Sequence, residues 1–160
     1  MTGMPKVFEV RVIGVPVPLW VASRQHSDEL MREFALVYET AESEPASVPA
    51  RLTNLVQEVK ERYGAISKSA QGVLAAAEEE GIASVDLAFE APAELAGSAR
   101  HLLELLEEAD EYCRAGRHLL TLTSSPDVRA FREWYLGQFI DQIGGAEPTP
   151  WADFRSARQV

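Results

Sequence analysis

Period-two alternation of apolar and polar residues is confined to two short stretches far apart in the chain, and that scarcity governs what the chain can fold into. In Lys6–Val15, Phe8, Val10 and Val12 alternate with Glu9 and Arg11; in Ser84–Glu90, Val85, Leu87 and Phe89 alternate with Asp86 and Glu90. Each pattern predicts a half-buried β-strand. Gly14, Pro16 and Pro18 are expected to end the first, because proline cannot donate to a ladder and restricts the residue before it. Two strands alone make a marginal sheet. They must pair with each other beneath helices, or an edge must pair across a dimer. Leu119–Leu122 is short enough to be a third strand or an extended connection.

Nearly everything else carries helical periodicity. A first helix is expected from Trp20 or Ser23 to Thr40, with Leu30, Met31, Phe34, Val37 and Tyr38 on its apolar side. A second starts at Ser47 or Val48, with Pro49 in its first turn, where a missing N–H costs nothing. Leu52, Leu55, Val56, Val59 and Tyr63 form its buried face, and Gly64 is read as its stop. A third, Ser67–Glu80, carries the weaker stripe Ala70, Val73, Leu74 and Ala77 and ends at Gly81. The longest is expected over Pro92–Ala115, with Leu95, Ala99, Leu102, Leu103, Leu106, Ala109 and Cys113 inward. Glu104, Glu107, Glu108, Asp110 and Glu111 fall on its solvated side. Ser124-Ser125-Pro126-Asp127 combines a hydroxyl cap, a first-turn proline and an acid at the positive helix end, so a last helix runs to about Ile143.

These elements predict an α+β fold: about five helices on a sheet of two or three short strands. Residues 1–143 form one globular domain, and 144–160 are a tail whose Trp151 and Phe154 pack back on it. The expected core includes Phe8, Val10, Leu30, Phe34, Leu55, Val59, Leu87, Leu102, Leu106 and Phe131.

Charge narrows the function classes. Twenty-five acidic residues face 15 basic ones, a formal net charge of −10, with no basic cluster. Nucleic acids are bound largely by neutralising phosphates, so a nucleic-acid partner is not expected. A single cysteine, Cys113, excludes an internal disulfide and suits a reducing compartment. With no long apolar run and no secretory pattern, neither membrane insertion nor export is expected, and the chain is assigned to the cytoplasm.

No nucleophile-elbow, phosphate-loop, dinucleotide-binding or zinc-protease motif occurs. His26 and Glu29 have a spacing used in carboxylate-bridged metal bundles, but such sites need a matching second pair. His101 and Glu104 repeat it on the polar side of their helix, and His118 has no such partner. Cys113, near a helix C-terminus, reads as a small core residue. No catalytic, metal or cofactor site is therefore assigned. The remaining candidate is aromatic. Trp134 and Tyr135 lie about 100° apart round a helix and cannot share one contact. With Trp20 and Trp151 they are read as a possible interaction surface, for a partner protein or for a homodimer.

Two regions also resemble a known group. Val15-Pro16-Val17-Pro18-Leu19-Trp20, with His26-Ser27-Asp28-Glu29-Leu30 and Arg32-Glu33-Phe34, is similar to the opening of a family of small actinobacterial proteins of unknown activity. Glu108-Ala109-Asp110-Glu111-Tyr112-Cys113-Arg114-Ala115-Gly116, Phe131-Arg132-Glu133-Trp134-Tyr135-Leu136 and Pro148-Thr149-Pro150-Trp151 resemble its closing half. That family is associated with partner-switching regulators: anti-sigma-factor kinases, antagonists and phosphatases. The chain lacks the asparagine and glycine-rich boxes of such kinases, so the resemblance implies a non-enzymatic regulatory or scaffold domain acting by protein–protein contact. The alternative is a small-molecule sensor or an unrecognised enzyme, with its pocket between helices and strands.

Overall fold

The computed structural model describes residues 6–39, 48–114 and 125–158; the side chains of 34–39, 48–49, 112–114 and 158 fall outside that description. Phe34, Cys113, His118 and the expected extended stretch Leu119–Leu122 therefore lie beyond it.

Strand β1 (Val7–Pro16) pairs antiparallel with β2 (Ser84–Pro92), in a register that sets Val10 opposite Phe89, Arg11 opposite Ala88 and Val12 opposite Leu87. The first strand does not stop at Gly14. It bulges between Val12 and Val15, and pairing resumes with Val15 opposite Val85. Gly14 makes the bulge possible at φ +72, and its N–H donates to Asp86 Oδ1 at 2.8 Å. Helix α1 (Val17–Glu39) follows at once, with Pro18 in its first turn, and the Val17 N–H donates to the Ala83 carbonyl at 3.0 Å. The prolines thus start the helix rather than merely closing the strand.

Helix α2 (Val48–Glu80) merges the second and third expected helices into one of 33 residues, roughly 50 Å long. Gly64 does not end it. The apolar positions 52, 55, 59, 63, 66, 70, 74 and 77 keep three- and four-residue steps straight through the glycine. The continuous stripe outweighs a helix-interior glycine's cost of about 1 kcal/mol. Helix α3 (Glu94–Arg114) begins two residues later than expected, because Pro92 is the last residue of β2, opposite Val7. Its buried face is also broader than expected. Leu95, Ala99 and Ala109 are buried as expected and Leu105 is sealed beside them, whereas Leu102, Leu103 and Leu106 are only half-buried. The reason is that α3 packs against both α2 and α4 (Pro126–Ile143), so its inward arc spans two neighbours.

Two apolar clusters result. One joins the sheet's inner face (Val10, Val12, Leu87, Phe89) to α2, α4 and the short helix α5 (Trp151–Arg158). The other, at the far end of α2, gathers Leu30, Leu52, Leu55, Leu105 and Ala109. Of the other expected core residues, Phe131 is buried, while Phe8 and Val59 are half-buried.

Helix α4 organises the whole. Its cap matches expectation: Ser125 is extended and its hydroxyl accepts from the Val128 N–H at 3.2 Å. Yet α4 has no solvated stripe of ordinary width, since it contacts α3, β1, α1 and α5. Val128, Phe131, Arg132, Trp134, Gln138, Phe139 and Gln142 are all buried.

Candidate functional site

The two outer edges of the sheet are treated differently. Gln142, on α4, lies beside β1. The Arg11 N–H donates to its Oε1 at 2.9 Å, and its Nε2 donates to the Arg11 carbonyl at 2.8 Å. One side-chain amide thereby takes the place of a neighbouring strand. Gln142 also donates to Gln138 Oε1 at 3.0 Å, which accepts the Thr149 N–H at 2.9 Å. Trp134 Nε1 donates to the Thr149 carbonyl at 2.7 Å. The chain carrying 146–150 is thus bound to α4 by buried polar groups, and α5 closes against β1.

The same bond fixes the polarity of the other edge. In a strand, successive residues point their N–H and C=O to opposite sides. Since Arg11 points away from β2, Val10 and Val12 point towards it, at Phe89 and Leu87. Asp86, Ala88 and Glu90 must then turn their backbone groups to the far side of β2. Among the described residues, no hydrogen bond reaches those groups, and all three residues are exposed. Their side chains stand on the solvent face. Glu90 there lies directly opposite Glu9, a like-charge cross-strand pair. The Asp86 carboxylate is held by Gly14, and an open depression runs over Val7, Glu9, Ala88, Phe89 and Glu90. An unpaired strand edge with acidic side chains can accept an extended, positively charged segment.

The aromatic residues proposed from the sequence do not form one surface. Trp134 is 1% exposed and Trp151 9%, and their rings meet edge-to-face at 5.4 Å. They serve the core, because the tail covers the side of α4 that a single packing face would have left free. Tyr135 packs on Phe131 and Phe139, and burial pushes its phenol pKa up. Trp20 is half-buried, with the Arg24 guanidinium 5.4 Å from its ring.

His26 is half-buried with its Nε2 unbonded. Burial lowers its pKa, against an opposing pull from Asp110; Arg132 lowers it further and Glu29 raises it. Asp110, expected on the solvated side of its helix, is instead buried and bonded to Arg132, which also reaches Glu107 at 3.2 Å. This ion pair ties α3 to α4. Among the described residues, no group of three or more His, Cys, Asp or Glu has the arrangement of a metal site, and no helix is long and apolar enough to cross a membrane.

Sequence reasoning missed Gln138 and Gln142. A signal existed: two glutamines four residues apart in Trp134–Ile143, a stretch whose one charged residue is Asp141, have little solvent to face. Comparison with protein-family models, curated proteins and solved structures finds no match for this chain.

Proposed function

We propose that this chain is a non-enzymatic regulatory domain that binds a partner protein by accepting an extended basic segment of it as a third strand on the outer edge of β2. The observation that supports this reading is the asymmetry of the sheet: the β1 edge is occupied by Gln142, while no hydrogen bond from the described residues reaches the outward backbone groups of β2. Strand addition draws affinity from main-chain bonds and specificity from alternate side chains. Here the alternate side chains on the solvent face are Asp86 and Glu90, with Glu9 behind them, in a chain of net charge −10. A lysine or arginine beside Glu90 would relieve its repulsion with Glu9. A second copy of the chain is a poorer occupant, because two-fold antiparallel pairing about Ala88 sets each Glu90 against an Asp86. The resemblance to proteins found beside partner-switching regulators supports a signalling protein as the partner.

The test uses two fluorescent ten-residue peptides, one alternating valine and lysine, the other valine and glutamate. The lysine peptide should bind the full chain, and added salt should weaken it. Ala88→Pro removes one outward N–H without touching the ladder to β1, and should weaken binding roughly tenfold or more, about 1.4 kcal/mol. Equal binding of the two peptides, or full binding by Ala88→Pro, would refute the proposal. A two-chain mass in sedimentation that Ala88→Pro reduces to one would assign the edge to a second copy instead.

A further inference from the structure

Between α3 and α4, two carboxylates and two guanidinium groups form one network. Arg132 donates to Asp110 and, at 3.2 Å, to Glu107; Arg129 donates to Glu107 at 2.7 Å and lies 3.7 Å from Asp110. Asp110 and Arg132 are buried, and the Asp110 carboxylate is contacted by both arginines. A further ion placed there would need a partner of its own, because an uncompensated buried charge is strongly disfavoured.

His26 of α1 stands against this network. It lies one helical turn before Leu30, which is sealed against Leu105 and Ala109 of α3, so position 26 faces the turn that carries Asp110. Its Nε2 is buried and has no hydrogen-bond partner. The charged groups acting on the ring are Asp110 from α3, Arg132 from α4 and Glu29 from α1 itself; among the described residues, none comes from α2 or β1. A neutral imidazole carries one N–H, whereas imidazolium carries two and needs an acceptor for each. The carboxylate facing the ring from across the interface is Asp110, which Arg132 already holds.

We infer that His26 is an acid-sensitive latch: a proton taken by its ring sets a further cation against Asp110, in competition with Arg132, and loosens α1 from the α3–α4 ion pair. This goes beyond strand addition at β2 and does not depend on it. Burial is the largest influence on the ring and lowers its pKa from the ordinary 6.5; Asp110 opposes that, Arg132 adds to it and Glu29 opposes it. The folded chain therefore takes up this proton less readily than the unfolded one. The stability that depends on a neutral His26 is complete above about pH 6.5, and is lost as pH falls from there through the lower native value.

Urea unfolding of the full chain and of His26→Gln, at about pH 7.5 and about pH 5.5, tests the latch. All other titrating groups are shared, so the difference isolates His26. The folding constant of the unchanged protein should fall by up to about tenfold more than that of His26→Gln, the ceiling for a group of ordinary pKa about 6.5 read one unit lower. Amide protection in α1 around Leu30 should fall first, while α4 around Phe131 keeps more of its own. An NMR titration of the His26 ring should give a midpoint below 6.5, and Asp110→Asn should move it lower still, since the opposing carboxylate is gone. Equal pH dependence of the two proteins would overturn the inference, as would α1 and α4 losing protection in step. If His26→Gln does not fold, the ring titration decides: a midpoint at or above 6.5, or one that Asp110→Asn leaves in place, sinks the latch.

Discussion

The two strands of the sheet are alike in length, pattern and inner-face burial, yet their outer edges have opposite fates. Along β1, Arg11 is bonded on both backbone groups by a glutamine that reaches it across 131 residues of sequence. Along β2, the same kinds of groups on the exposed residues Asp86, Ala88 and Glu90 receive no hydrogen bond from the described residues. Exposed edges invite unwanted pairing, and proteins commonly blunt them with charge or cover them. This fold does both, one on each side. Covering removes an edge from use, whereas charge only restricts which segments can join it. The proposed strand addition at β2 rests on that difference.

Proline scanning gives the largest contrast. Leu87→Pro removes a ladder donor facing β1 and should cost about 3 kcal/mol or more. Ala88→Pro, one residue away, loses only an outward N–H and leaves Leu87 in the extended conformation proline prefers before it, so it should cost less than about 1 kcal/mol. Urea midpoints of the two variants check this; equal losses would mean the assigned polarity of the strands is wrong.

Trp134→Ala tests what keeps the β1 edge covered. It removes a buried ring and the bond to Thr149, and should cost about 3–5 kcal/mol. Hydrogen exchange should show the Arg11 and Thr149 amides losing protection together. Gln142→Leu keeps the volume but strands both Arg11 groups, and should cost about 1–3 kcal/mol by denaturant titration, with the Arg11 amide exchanging fastest among its neighbours. Glu90→Lys sharpens the comparison from the other side. It turns the pair with Glu9 from repulsive to attractive, which should raise stability by about 0.2–1 kcal/mol, while binding of the lysine peptide falls. Parallel thermal melts and peptide titrations would show the two signs.

The strands were legible because alternation over a few residues is a local property. Their register was not, since it depends on a bulge at Gly14 whose N–H is held by Asp86, far along the chain. Gly64 misled because a stop signal was weighed alone, although the apolar stripe on either side of it stays in phase. Leu105 was passed over and Asp110 misplaced because α3 has two neighbours, and a single stripe describes only one. The interaction surface was sought in Trp20, Trp134, Tyr135 and Trp151 because Trp134 and Tyr135, about 100° apart round their helix, exceed what one packing face accepts. The fold supplies a second face by returning the tail. An open edge is harder still to read, since it is defined by which elements do not approach it.

The contact between Trp134 and Trp151 also has an optical consequence. Two indoles fixed edge-to-face at 5.4 Å, both buried and one of them on the tail, form a chiral chromophore pair. Held in this asymmetric packing, they should give a near-ultraviolet circular dichroism contribution that exists only while α5 is docked. If the tail detached with α1–α4 intact, that contribution would vanish while the far-ultraviolet helical signal changed little. Trp20, half-buried beside Arg24, would continue to emit as an internal reference. The protein thus carries its own spectroscopic report of the segment that covers β1.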